Sequence, residues 1–245
     1  MSDVQRHYDD FLAAHYSWMN GMSFASKLAE QCNMLAELGF PTSSMEVAID
    51  LGCGPGYQTL ALSDLGYKNV LALDTSQALL DELSKTIESR SIKAILADLR
   101  TFPRLVTEGG VDAIVCMGDT LTHLESQNDV SRLLEDTYRA LRSDGRLALT
   151  FRDFSTELTG TDRFIPVRSD DQRIMLCALL YEPEHVVVND LVYLLSDHGW
   201  ELHKSSYRKL RLSPSWVAAE MCRLGFSVEI DTSINQMQTI VARKC

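Results

Sequence analysis

Ala48-Ile49-Asp50-Leu51-Gly52-Cys53-Gly54-Pro55-Gly56-Tyr57 is an apolar run that ends in an acid and then in three closely spaced glycines. It reads as a buried strand that turns sharply into a helix. Glycines suit a turn whose backbone conformations a Cβ would obstruct, and bare backbone lets a ligand approach the main chain. The helix predicted after the turn, from Tyr57 to about Leu65, aims free N–H groups at whatever lies over the loop. Such turns also occur without a ligand, so this stretch alone leaves a structural turn and a binding loop both open.

Downstream the same form repeats. The predicted strands are Glu46 to Leu51, Asn69 to Leu73 ending at Asp74, Lys93 to Ala97 ending at Asp98, Val111 to Met117 ending in Gly118-Asp119, and Arg146 to Arg152. Helices are predicted between them, the later ones at Ser76 to Ser89 and Ser126 to Leu141, with a short one after Asp98 and a stop at Ser143-Asp144-Gly145. Five apolar strands alternating with amphipathic helices are the sequence form of a parallel sheet covered on both faces. In such sheets ligands bind beyond the carboxyl ends of the strands. Asp50 with its glycine loop, Asp74, Asp98 and Asp119 all fall at those ends, and their clustering points to a site more than any one of them does.

After Arg152 the rhythm changes. Arg163 to Val167, Arg173 to Tyr181, Val186 to Leu195 and Trp200 to Leu212 read as strands of an antiparallel meander inserted over about residues 160–212. The middle two are apolar on both faces, whereas a solvated ribbon would alternate. The inserted sheet is therefore expected to cover the core, the mouth of the site or another subunit. A last helix, Ser213 to Leu224, precedes Gly225-Phe226 and two terminal strands, Ser227 to Asp231 and Met237 to Arg243. Tyr8 to Leu38 has the mixed three- and four-residue apolar spacing of helices, separated near Gly21. Its aromatics Tyr8, Phe11, Tyr16, Trp18 and Phe24 read either as a helical cap, residues 1–40, folded over a cofactor pocket or as plain packing on the core. A single domain over residues 1–245 accommodates all of this.

The composition is ordinary for a globular protein, 45% hydrophobic and 23% charged. With 23 Lys and Arg against 34 Asp and Glu, the formal net charge is −11. That balance argues against nucleic acid or an anionic membrane as the main partner, since both reward a basic surface. Six cysteines, at positions 32, 53, 116, 177, 222 and 245, form no C-x-x-C pair. Neither a metal site nor a disulfide framework is expected, and reduced thiols fit a cytoplasmic location. Met1 to Arg6 lacks the profile of a signal peptide, and no apolar run approaches the roughly 18 residues that span a bilayer.

Asp74 lies 22 positions after Gly52, the spacing at which an acid commonly accepts hydrogen bonds from a ribose diol. The alternative is that it only caps the helix that begins near Ser76. In order, Ile49-Asp50-Leu51-Gly52-Cys53-Gly54-Pro55-Gly56, Leu73-Asp74-Thr75-Ser76, Ala97-Asp98-Leu99 and Asp112-Ala113-Ile114-Val115-Cys116-Met117-Gly118-Asp119 resemble the motif series of class I S-adenosylmethionine-dependent methyltransferases. The likeness spans about residues 46–152 and returns at Leu224-Gly225-Phe226. It implies an α/β, Rossmann-like, seven-stranded, mostly parallel sheet with helices on both faces, an N-terminal helical cap and an antiparallel β insertion after strand five. It implies S-adenosylmethionine as cofactor. By the same resemblance Gly52, Cys53, Gly54 and Gly56 would line its methionine part, with Asp50 ordering the loop or meeting the amino group. Asp74, with Thr75, would hold the ribose, and Asp98 and Leu99 the adenine. Met117 and Gly118 would flank the sulfonium, and Tyr16 is the cap aromatic nearest the cofactor.

S-adenosylmethionine carries a sulfonium and an ammonium but no phosphate, so it gains from carboxylates and carbonyls, whereas a dinucleotide needs N–H donors. The spacing here is G-x-G-x-G, without the last glycine of G-x-G-x-x-G, and Pro55 lacks an N–H. Methyl transfer is an in-line displacement for which positioning and desolvation supply most of the catalysis. A general base is optional. Asp119 and His123 are the candidates, against the plain alternatives of a capping aspartate and a helix-face histidine. Arg152 suits a substrate carboxylate and is similar to the arginine after strand five in the glycine and sarcosine N-methyltransferase group, whose members also carry a β insertion. A salt bridge to Asp153 or another acid is the competing reading. Tyr193, Tyr207 and Arg211 are further pocket candidates, although the basic run Tyr207 to Arg211 reads first as a solvated face.

The expectation is thus an enzyme that moves a methyl group to the nitrogen or oxygen of a small soluble metabolite, the inserted sheet forming a lid or part of a homodimer. The alternatives are a nucleotide-dependent oxidoreductase and a non-catalytic S-adenosylmethionine-binding protein.

Overall fold

The computed structural model describes residues 3–41, 44–87, 90–234 and 237–245. The apolar runs of the first half become β1 (Val47–Leu51), β2 (Asn69–Asp74), β3 (Ile92–Leu96), β4 (Val111–Cys116) and β5 (Leu141–Phe151). The last two strands are β10 (Phe226–Ile234) and β11 (Met237–Lys244). Together they form one seven-stranded sheet in the order β10-β11-β5-β4-β1-β2-β3. β11 runs antiparallel to both of its neighbours, and the pairings among β1 to β5 are parallel. β4, buried at every position, occupies the centre between β1 and β5.

Alternate residues of these strands serve opposite faces. Ile49, Leu51, Ile114 and Leu149 join a core built with α6 (Gln127–Ala140) and α7 (Pro214–Arg223). Ala48, Ala113, Val115 and Ala148 pack on the other side against α3 (Phe24–Glu37) and α4 (Tyr57–Asp64). Near-continuous apolar strands are what burial on both faces demands. Ser126 caps α6 by accepting a hydrogen bond from Asp129 N–H at 3.2 Å. The helix ends at Ala140, ahead of the predicted stop: Ser143, Asp144 and Gly145 already belong to β5, where Asp144 takes a positive φ of 62°.

The helix predicted to reach Ser89 ends earlier, as α5 (Gln77–Ser84), and residue 89 lies outside the described residues. The meander is observed as a separate antiparallel sheet, β6 (Phe164–Ser169), β7 (Arg173–Tyr181), β8 (His185–Ser196) and β9 (Gly199–Leu210), in that spatial order. Its inner face meets the N-terminal helical run, α1 (Asp3–His7), a π-helical turn at Tyr8–Leu12 and α2 (Ala13–Met19). Met175 and Val192 pack there on Leu12, with Tyr8, Phe11, Tyr16 and Trp18 around them. The outer face leaves Ile174, Leu180, Leu195, Trp200 and Leu202 exposed.

Phe151 closes β5 fully buried within the larger core. Phe151→Ala is expected to cost about 3–5 kcal/mol of folding stability, read as a lower urea midpoint at an unchanged slope.

Candidate active site

The loop after β1 turns as its glycines demand. Gly52 has φ of +76°, and a Cβ there would lie 2.2 Å from Thr120 Cγ2; at Gly56, φ is +95° and a Cβ would lie 2.2 Å from Leu83 Cδ1. The loop amides are spent inside the protein. Gly52 and Cys53 N–H both donate to Leu73 O, at 2.8 and 2.9 Å, and Gly56 N–H donates to Cys53 O at 3.0 Å. Gly54 N–H donates to Asp74 Oδ2 at 2.7 Å. Pro55 has no N–H, so residues 52–56 hold no free amide with which to cradle a phosphate.

Two acids fasten this loop. Asp50 is buried and accepts the Thr59 hydroxyl at 2.6 Å. Burial pushes its carboxyl up to about 7 despite that hydrogen bond, with Asp74 adding to the rise. Asp74 takes Gly54 N–H on one oxygen and Ser76 N–H, at 2.9 Å, on the other. Burial still raises its pKa.

A cavity of about 840 Å³ opens over the carboxyl ends of the strands. Of the residues expected at the site, Tyr16, Gly52, Cys53, Gly54, Asp74, Thr75, Asp98, Leu99, Met117, Gly118, His123 and Arg152 line it. Asp50, Gly56 and Asp119 are not part of its lining. Asp98 is already engaged: Arg100 donates to its two oxygens from Nε at 3.0 Å and Nη2 at 2.6 Å. That side-chain hydrogen bonding holds the carboxyl below its usual range against partial burial. Gly118 N–H donates to Thr150 Oγ1 at 2.7 Å, and no atom lies within 4 Å of a Cβ built at Gly118.

The base candidates change character. Asp119 Oδ1 accepts Arg152 N–H at 2.6 Å, and its Oδ2 accepts both Arg152 Nη1 at 2.5 Å and Lys209 Nζ at 2.6 Å. Burial alone would raise its pKa, but the two cations hold it well below the ordinary carboxylate range. A carboxylate so occupied is no general base; it anchors Arg152. His123 lines the cavity with Nε2 3.3 Å from the Tyr8 hydroxyl. Burial, and then the charge of Lys209, push it down to about 3. It stands as a neutral, weakly basic imidazole.

The basic run Tyr207 to Arg211 is corrected as well. Tyr207 and Lys209 are buried on the inner face of β9, opposite Val188 and Val186 of β8. Arg211 donates to Phe154 O at 3.0 Å and Glu182 O at 2.8 Å. Arg208 alone of the run lines the cavity. His7 was missed, whereas Tyr8, one of the aromatics read as a cap over a pocket, lines the cavity. His7 is buried, stacked on Tyr207 at 4.2 Å and placed between Asp190 Oδ2 at 3.1 Å and Ser205 Oγ at 2.8 Å. Period-two alternation carried the signal for Tyr207 and Lys209, but only the pairing with β8 says which face is inward.

This sheet order, with acids at the ends of β1, β2 and after β3, and a glycine loop that keeps no amide for an anion, is the Rossmann-like arrangement expected of a class I S-adenosylmethionine-dependent methyltransferase. Residues 48–145 match a family model described as a methyltransferase domain. The glycine/sarcosine/dimethylglycine N-methyltransferase of Actinopolyspora halophila is 30% identical over 116 residues, which are 46% of this chain and 20% of that protein. The chain thus spans about a fifth of that curated relative. Among solved structures, the CcbJ methyltransferase of Streptomyces caelestis superposes with a TM-score of 0.77 at 19% identity, covering 97% of this chain and 98% of the other. The S-adenosylmethionine-bound amino pentose methyltransferase CalS10 of Micromonospora echinaspora gives 0.75 at 16% identity, covering 95% of each. At such identities the likeness is one of fold.

Asp50 makes a pH-dependent contribution to stability. Its folded pKa of about 7 lies above the model-compound 3.8, so folding takes up a proton between those values. This contribution is largest below about pH 4, declines as pH rises towards about 7 and is flat above. Asp50→Asn should remove that slope in denaturation curves taken across the same pH range.

Proposed function

We propose that this chain transfers the methyl group of S-adenosylmethionine to an amine nitrogen of a small, soluble acceptor. The observation that carries the reading is the loop at residues 52–56, whose N–H groups are all spent. Such a loop disfavours a pyrophosphate, and so a nicotinamide dinucleotide. It suits a ligand whose charges are an ammonium and a sulfonium, near carbonyls and the acids Asp74 and Asp98. Gly118, where no atom lies within 4 Å of a built Cβ, leaves backbone bare where a ligand must come close.

When bound, S-adenosylmethionine supplies an activated methyl carbon. Gly52, Cys53 and Gly54 would line its methionine part and Asp74 with Thr75 its ribose; Asp98 and Leu99 would meet the adenine, and Met117 with Gly118 the sulfonium. Tyr16 would close the cavity from the N-terminal helices. Asp50 and Gly56, set outside the lining, act on the loop's shape. Neither Asp119 nor His123 offers a strong base, which favours an acceptor that attacks as a neutral amine over a hydroxyl that must lose its proton during attack. The N-methyltransferase activity of the curated relative supports the same choice of atom. Arg152 would bind an anionic group on the acceptor.

The reading takes residues 1–245 as one methyltransferase unit, with 1–40 as the cap and 160–212 as the insert. No helix among the described residues is long and apolar enough to cross a membrane. The six free cysteines support a reducing compartment, the cytoplasm. The outer face of the inserted sheet would pair with a second copy of the chain. Four strands at about 4.8 Å, each near nine residues at about 3.3 Å, make a face of roughly 19 by 30 Å, the order of the about 800 Å² per partner that stable interfaces cover.

Thermal shift tests the cofactor: S-adenosylmethionine and S-adenosylhomocysteine should stabilise the protein, and stabilisation by NADH alone would contradict the reading. Asp74→Ala should weaken S-adenosylhomocysteine binding by about tenfold or more, since a charged hydrogen-bond partner is worth roughly 1.5–3 kcal/mol; an unchanged dissociation constant by calorimetry would remove the ribose role. Joint replacement of Trp200 and Leu202 by Asp should halve the mass seen by light scattering. A monomer before mutation would refute the homodimer.

A further inference from the structure

We propose that Lys209 is a positioning residue which, through the Asp119 carboxylate, lets Arg152 hold an anionic group of the acceptor. The proposal rests on the reading that the acceptor enters at this mouth. Asp119 Oδ2 accepts from Arg152 Nη1 at 2.5 Å and from Lys209 Nζ at 2.6 Å. The side chains of Asp119 and Lys209 are 3% and 7% exposed, whereas that of Arg152 is 57% exposed. One carboxylate between two cations leaves one net positive charge, and Arg152 is the member that lines the cavity.

Without Lys209, Asp119 would neutralise Arg152 one for one and draw it to the wall. With Lys209 sharing the same oxygen, Arg152 keeps charge for a ligand, and a guanidinium carries five donors of which Asp119 engages only the Nη1 side. A buried ammonium persists only when paired. Here Asp119 pairs it, and the rings of Phe154 and Tyr207 lie 5.8 and 5.7 Å from Nζ.

Lys209 also reports its own presence. His123 is faced by Lys209 and Tyr207 from β9, by His7 and Tyr8 from the N-terminal helical run, and by Asp119 from its own turn. Burial and Lys209 both disfavour the imidazolium, while Asp119 favours it. Loss of the Lys209 charge should let His123 take up a proton at higher pH.

The test uses the full chain with S-adenosylhomocysteine, followed by NMR at the His123 imidazole and the Arg152 Nε–H. Inorganic phosphate and acetate are titrated separately, so that the two arms tell a phosphate group from a carboxylate. The wild type and Lys209→Arg should show a saturable Arg152 response to at least one anion and no His123 titration between about pH 5 and 8. Lys209→Gln should weaken the anion response about tenfold or more and raise the His123 titration, with the S-adenosylhomocysteine dissociation constant within about twofold of wild type. An unchanged Arg152 response and an unchanged His123 in Lys209→Gln would overturn the proposal. So would a wild-type Arg152 that answers to neither anion, an outcome that decides the matter even if Lys209→Gln fails to fold. Failure of the wild type to bind S-adenosylhomocysteine would sink the methyltransferase reading instead, and the anion arms would still judge Lys209.

Discussion

The carbonyl of Leu73 accepts two amides of the neighbouring turn, Gly52 and Cys53, while the next residue, Asp74, accepts a third from Gly54. This clamp welds the end of β1 to the end of β2 and decides what the turn can do. A glycine loop with free amides is an anion cradle. One whose amides are spent shows a ligand only carbonyls, bare Cα atoms and the nearby acids. The positive φ at Gly52 accompanies the same clamp, as the chain turns to send its amides to β2, while Gly56, also at positive φ, turns its amide back to Cys53 O.

The second determinant is the carboxylate at which the two sheets meet. Asp119 extends from the end of β4, Arg152 from the end of β5, and Lys209 from β9 of the inserted sheet. Removing one member of a buried pair typically costs about 3–5 kcal/mol, because it leaves a charge uncompensated. The cluster thus ties the inserted sheet to the main one and carries one net positive charge in a protein whose net charge is −11.

Much of the fold was legible because its signals are local. An apolar run followed by an acid or glycine marks each parallel strand end, and the break in rhythm after Arg152 marks the second sheet. That most residues proposed for the cofactor line one cavity was legible for the same reason: they sit on strand ends that the sheet order brings together. What stayed hidden needed knowledge of facing. Asp119 reads as a free carboxylate until a lysine from a distant strand is known to point at it, and that lysine reads as surface charge until Val186 is known to pair with it. His123 lost its role as a base first through burial and then through the same lysine. His7 carried no sequence signal, since a histidine in a polar helical stretch has no period that reveals the Asp190 waiting on another sheet.

The central claim is methyl transfer, and turnover tests it most directly. The protein is incubated with S-adenosylmethionine bearing a deuterated methyl group and a pool of small amines drawn from a metabolite extract, and the products are followed by mass spectrometry. The account predicts S-adenosylhomocysteine formed in step with a small amine that carries the deuterated methyl on nitrogen. Tight binding of the donor with no methylated product and no S-adenosylhomocysteine, across acceptors that include anionic amines, would contradict it.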